Sequence, residues 1–146
     1  MTFLLDVNVL IALCDSLHVH HEAAQQWFAA IGRTSWATCP STENGFVRVV
    51  SSPSYKTVSG TPDQIASHLR NLCAQPSHAF WQDSISLLET SRFELSKLKG
   101  HQQLTDVYLA GLAAANKGRL ATFDTHIPLA AIRGASRDVI EVLSIS

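Results

Sequence analysis

The chain has 146 residues, 46% of them hydrophobic, and its 11 Lys and Arg nearly balance its 12 Asp and Glu for a formal net charge of −1. That length supports one compact domain, residues 1–146, around one core and excludes two ordinary domains. The charge balance excludes a globally basic, histone-like hold on nucleic acid, so any RNA contact must be local.

The opening MTFLLDVNVLIALCD has no basic leader, is interrupted at Asp6 and is too short to span a bilayer, which points to a cytoplasmic protein with no membrane segment. Thr2 to Leu5 read as a short buried strand, and Val7 to Leu13 as a helix that begins directly after Asp6. A second helix runs from His20 to Ile31, with Ala24, Trp27, Phe28 and Ile31 at helical spacing, and Gly32 stops it. His18, His20 and His21 crowd its start. Adjacent helical residues face different sides, a poor geometry for a chelate, so no catalytic role is assigned to them.

Trp36 to Cys39 form the second strand, and Pro40 and Ser41 open a helix that carries Glu43, Phe46, Val47, Arg48 and Val50. Ser54 to Pro62 read as a loop, Asp63 to Cys73 as a helix and His78 to Trp81 as a short strand. Leu104 to Lys117 is the best-marked helix, with Thr105 as N-cap and Gly118 just past its end. Arg119 to Phe123 and Asp138 to Val142 complete the strands. Alternating strands and helices imply an α/β domain: a three-layer α/β/α sandwich around a mostly parallel sheet. The three cysteines, Cys14, Cys39 and Cys73, lack the CxxC spacing of a zinc or redox site and read as buried free thiols. Trp27, Phe28, Trp36, Phe46, Phe80 and Trp81 fall mostly on apolar faces and read as packing residues.

Four acids occupy element junctions. Asp6 and Asp124 close strands, Glu43 lies in a first helical turn and Asp106 opens the Leu104 helix. Taken singly, each is explained by capping and the helix dipole. Taken together, they can share one rim, because parallel sheets gather their functional groups beyond the carboxyl ends of the strands. Converging carboxylates repel one another unless a cation neutralises them, and oxygen-only ligation favours Mg²⁺ or Mn²⁺. Such a site suits phosphoryl chemistry. Asn8 stands where a haloacid-dehalogenase phosphatase needs a second aspartate, which argues against a metal-dependent phosphatase. A non-catalytic RNA-binding or scaffold module, with the acids serving only as caps, is the remaining alternative.

The segments LLDVNVLIAL, STENGFVRVV and LTDVYLAGLAAANKGRLATFD, in that order and spacing, resemble the PIN-domain ribonucleases, specifically the VapC-type toxins of toxin–antitoxin pairs. The resemblance implies a PIN fold and an endoribonuclease that uses metal-activated water to leave a 5′-phosphate and a 3′-hydroxyl. It places the acids on Asp6, Glu43, Asp106 and Asp124, with the three aspartates on the metal and Glu43 acting through water or on the nucleophile. It further implies support from Asn8, Thr105 and Thr122, a basic role for Arg48, a tRNA or rRNA loop as target, a homodimer, and a VapB-type antitoxin whose tail covers the groove. Many family members carry a further acid after the fourth. Here His126 stands in that neighbourhood and reads as a surface histidine. Lys97, Lys99 and His101 precede Asp106 as a candidate basic lip.

Overall fold

The computed structural model describes residues 1–144. Ten regular elements run in the order β1 (Phe3–Leu5), α1 (Val7–Cys14), α2 (His21–Ala30), β2 (Trp36–Thr38), α3 (Pro40–Val50), α4 (Pro62–Cys73), β3 (His78–Phe80), α5 (Leu104–Ala115), β4 (Arg119–Thr122) and β5 (Ile140–Val142). The strands form a sheet of order β3-β2-β1-β4-β5, and each neighbouring pair of these strands runs parallel.

Strand alternation divides the core in two. Phe3, Leu5, Trp36 and Ala121 pack on one face against α1 to α4, while Leu4, Ala37 and Leu120 pack on the other against α5. The second face is finished by chain without long regular elements. Ile85 and Phe93 bury there, and Phe93 pairs with Ile132 in an isolated antiparallel bridge. Gly111 makes this possible, since a Cβ on it would stand 2.5 Å from the Phe93 ring. Sequence periodicity gave no sign of this segment, because its apolar residues follow neither a helical nor a strand repeat.

Two local readings change. Gln103, not Thr105, is the N-cap of α5, and Thr105 lies exposed within its first turn, because the preceding 3-10 turn, His101–Gln103, leads straight into the helix. At the other end Lys117 takes the left-handed conformation, φ 58°, and the Gly118 N–H returns to the Ala113 carbonyl at 2.8 Å, closing a Schellman turn. Gly118 is required for space: a Cβ there would lie 2.5 Å from the Thr2 carbonyl oxygen and 2.8 Å from the Trp81 ring. Gly118→Ala is therefore expected to destabilise the protein by about 2 kcal/mol, because the blocking atom is backbone. Urea unfolding checks this, and an unchanged midpoint would refute it. The cysteines also differ from expectation: Cys39 is buried, but Cys73 is half-buried and Cys14 exposed at the end of α1. Among the described residues, no helix is long and apolar enough to cross a membrane.

Candidate active site

The chain leaves β1 toward β2 and β3, then returns to build β4 and β5 on the other side of β1. The crevice beyond the carboxyl ends of β1 and β4 is thus a topological switch point, the usual ligand position in such sheets. Asp6 directly follows β1, and Asp124 follows β4 after one intervening residue, Phe123. Asp106 approaches from the first turn of α5.

These three aspartates interact. Asp6 is buried, 6% exposed, and caps α1 by accepting the Val7 N–H on Oδ1 at 2.7 Å. Its Oδ2 accepts the hydroxyl of buried Thr122 at 2.9 Å, and the same Thr122 oxygen accepts the Asp124 N–H at 3.1 Å. Thr122 therefore ties the first and last aspartates together. Asp124 Oδ1 accepts the backbone N–H of His126 at 2.8 Å, while the imidazole of this exposed histidine turns to Thr125.

The acids strain each other's ionisation. Burial raises the pKa of Asp6 above the ordinary carboxylate value, against the stabilising bonds from Thr122 and Val7, and the Asp124 charge adds to the rise. Asp106 is pushed up to about 7, first by burial, then by the Asp6 charge and by its hydrogen bond to Asp124. A carboxyl that holds its proton near neutrality, beside two others, is a group a divalent cation would discharge. The donor set is oxygen-only, which suits Mg²⁺ or Mn²⁺. Among the described residues, no three His, Cys, Asp or Glu side chains are drawn together as a ready-made metal cage. Mg²⁺ does not demand one, since it commonly keeps several waters and takes only one or two carboxylates.

Glu43 makes its hydrogen bond at the end of β2. Ser41, Gly45 and Arg48 share one stripe of α3 facing a groove, and Glu43, two residues after Ser41, lies roughly 200° round the helix. Its Oε2 accepts the Thr38 hydroxyl at 2.7 Å, and Thr38 in turn accepts from His78 Nε2 at 2.8 Å. Glu43 faces α4, beside Val47, Leu69 and Cys73. Helical phase, fixed by the start of α3 at Pro40, is what turns it toward α4.

The groove adjoins the cluster and has a volume of about 810 Å³. Val7, the residue after Asp6, and Thr105, the residue before Asp106, both line it, as do Arg48 and Tyr108. So does an acid that sequence reasoning missed: Asp83, which accepts the Tyr108 hydroxyl at 2.7 Å and the Ser41 hydroxyl at 3.1 Å. It stands in irregular chain after β3, where only its place shortly beyond the end of a strand could have drawn attention to it. Asn8 is exposed on α1, and Lys97, Lys99 and His101 are exposed ahead of α5, outside the residues that line the groove.

Comparison with known proteins agrees with the fold. Residues 3–133 match the PIN domain family. Ribonuclease VapC44 of Mycobacterium tuberculosis (strain ATCC 25618 / H37Rv) is 42% identical over 147 aligned positions, covering 98% of this chain and 100% of that protein. Ribonuclease VapC39 of the same strain is 43% identical over 143 positions, again covering 98% and 100%. Among solved structures, VapBC2 from Rickettsia felis, bound to a DNA fragment from its promoter, superposes with a TM-score of 0.60 at 16% identity, covering 99% of this chain and 100% of that one. Mycobacterium tuberculosis VapC20, a sarcin–ricin loop cleaving toxin, superposes with a TM-score of 0.59 at 9% identity over 91% and 98%. The structural matches speak for the fold, and the sequence matches for kinship: this chain belongs to the PIN-domain family and, within it, to the VapC-type ribonuclease toxins.

Proposed function

We propose that this protein is an endoribonuclease that hydrolyses RNA phosphodiesters at the centre formed by Asp6, Asp106 and Asp124, with Mg²⁺ or Mn²⁺ bound there. The observation that carries this reading is the electrostatic coupling of three aspartates at the switch point, where burial, the Asp6 charge and Asp124 push Asp106 up to about 7. When bound, the divalent ion supplies Lewis acidity that neutralises phosphate charge and makes water a usable nucleophile at neutral pH. The chain's own groups do the rest. Asp6 is held in one rotamer by Thr122 and Val7, so one edge of the site is set before substrate arrives. Asp106, hydrogen-bonded to Asp124, would give up its proton on taking a cation. Arg48, in the adjoining groove, offers a cation to the RNA backbone. Attack by water leaves a 5′-phosphate and a 3′-hydroxyl.

Glu43 belongs in this reading as a support for the β2–α3 turn, acting through Thr38 and His78. Glu43→Gln is expected to lower cleavage about tenfold, the low end of the range for a residue outside the ligand set. A loss as large as that of an aspartate variant would return Glu43 to the centre.

The relatives extend the proposal to a toxin of a toxin–antitoxin pair, acting in the cytoplasm as a homodimer and neutralised by a VapB-type antitoxin. The target class is a structured tRNA or rRNA loop, where unstacked bases can enter a groove that duplex RNA cannot. The test incubates wild type and Asp6→Asn with total tRNA and rRNA in Mg²⁺, Mn²⁺ or EDTA, and maps the fragment ends. Discrete, metal-dependent cuts with 5′-phosphates, absent from the variant, are expected. Cyclic 2′,3′-phosphate ends would sink the mechanism, and intact RNA throughout would sink the activity.

A further inference from the structure

Asp83 is anomalous in a groove that serves RNA. A carboxylate repels the phosphate backbone, so it is tolerated there only opposite hydrogen-bond donors, and the N–H donors of RNA lie on its base edges. Three elements fix this carboxylate. Tyr108 on α5 donates to Oδ1 at 2.7 Å, Ser41 at the start of α3 donates to Oδ2 at 3.1 Å, and Asp83 itself comes from the chain after β3. Each oxygen thus has one donor and retains a further acceptor position. Burial and the bond to Asp83 both push the Tyr108 hydroxyl to hold its proton more firmly, so the phenol remains a donor.

Two carboxylate oxygens side by side fit two parallel N–H groups. Among the four RNA bases, only guanine presents such a pair on its Watson–Crick edge, through N1 and the N2 amino group. Apolar surface for the base plane is at hand, since Leu87 and Leu88 line the same groove and Leu88 is 85% exposed. The groove reaches Val7 and Thr105, the chain neighbours of Asp6 and Asp106, so a nucleotide bound in it would lie beside a phosphate held at the aspartates.

We propose that Asp83, held by Tyr108 and Ser41, is a guanine-recognition subsite that selects the nucleotide beside the scissile phosphate. This inference rests on reading the three-aspartate centre as a ribonuclease. The test measures binding by fluorescence anisotropy in EDTA, using single-stranded uridine hexamers with one guanosine placed at each position in turn. A parallel set carries inosine, which lacks the N2 amino group. In at least one register the guanosine hexamer binds wild type about fivefold tighter than its inosine partner, the worth of one hydrogen bond. That preference disappears in Asp83→Asn and shrinks in Tyr108→Phe, with both variants folded by circular dichroism. Equal binding of the two sets by wild type overturns the subsite. So does a preference that survives in D83N, which would leave the carboxylate for an arginine of a protein partner. Because binding is read without catalysis, a guanosine preference in a protein that cuts no RNA would support the subsite and refute the nuclease, whereas cleavage without preference would do the reverse.

Discussion

Replacing Asp106 by asparagine is expected to cut RNA cleavage on the order of 10³-fold while leaving the fold at least as stable at neutral pH. The two effects have one cause. In the metal-free protein this carboxyl titrates at about 7 rather than 3.8, because burial and two neighbouring aspartates disfavour its charge. The folded state therefore binds the proton more tightly than the unfolded chain does. Its stabilising effect is complete below the ordinary value of 3.8 and is lost as pH rises toward about 7. Asp106 is only partly buried, so the full shift overstates the effect, and about 2 kcal/mol is a discounted figure. In a protein of this size that corresponds to roughly 4–8 °C in melting temperature. In EDTA the wild-type melting temperature should fall between pH 5 and pH 8 by that much more than the temperature of D106N. Adding Mg²⁺ at pH 8 should restore the wild type and do little for the variant, since only the wild type gains binding free energy on folding. Parallel pH profiles, with or without metal, would contradict the coupled aspartates.

Thr122→Val should be the most damaging conservative change near the site. Valine matches the shape of threonine but removes the hydroxyl that donates to Asp6 at 2.9 Å and accepts the Asp124 N–H at 3.1 Å. Thr122 is fully buried, so water does not replace either bond. Leaving buried partners unsatisfied costs about 2–3 kcal/mol, roughly 4–12 °C. The two aspartates also lose their common tether, and cleavage should drop between tenfold and a hundredfold. Thr122→Ser, which keeps the hydroxyl, should recover most of the activity. If valine and serine behave alike, the hydroxyl is not what positions the acids.

The contrast between Thr122 and Glu43 shows how far residue patterns reach. Asp6, Asp124 and Asp106 sit where the chain changes from one element to the next, and parallel topology carries such junctions to one rim whatever the details of packing. Thr122 lies two residues before Asp124 and on the opposite strand face from Ala121, so strand alternation already turns it toward the Asp106 side. Glu43 also sits at a junction, but a helix rotates roughly 100° per residue, so the starting residue decides which groove each side chain enters. The start at Pro40 sends Ser41 and Arg48 to the groove and Glu43 to α4.

Local periodicity and the positions where elements end are enough to specify the alternation of strands and helices, the parallel α/β architecture and the placing of three aspartates at element junctions. The direction of Glu43, the left-handed Lys117 and the placement of Asp83 against Ser41 and Tyr108 come from long-range packing. Those depend on helix phase, on backbone contact between Gly118 and Thr2, and on an irregular segment whose course is set by long-range packing of Ile85 and Phe93 rather than by any repeat in its own residues.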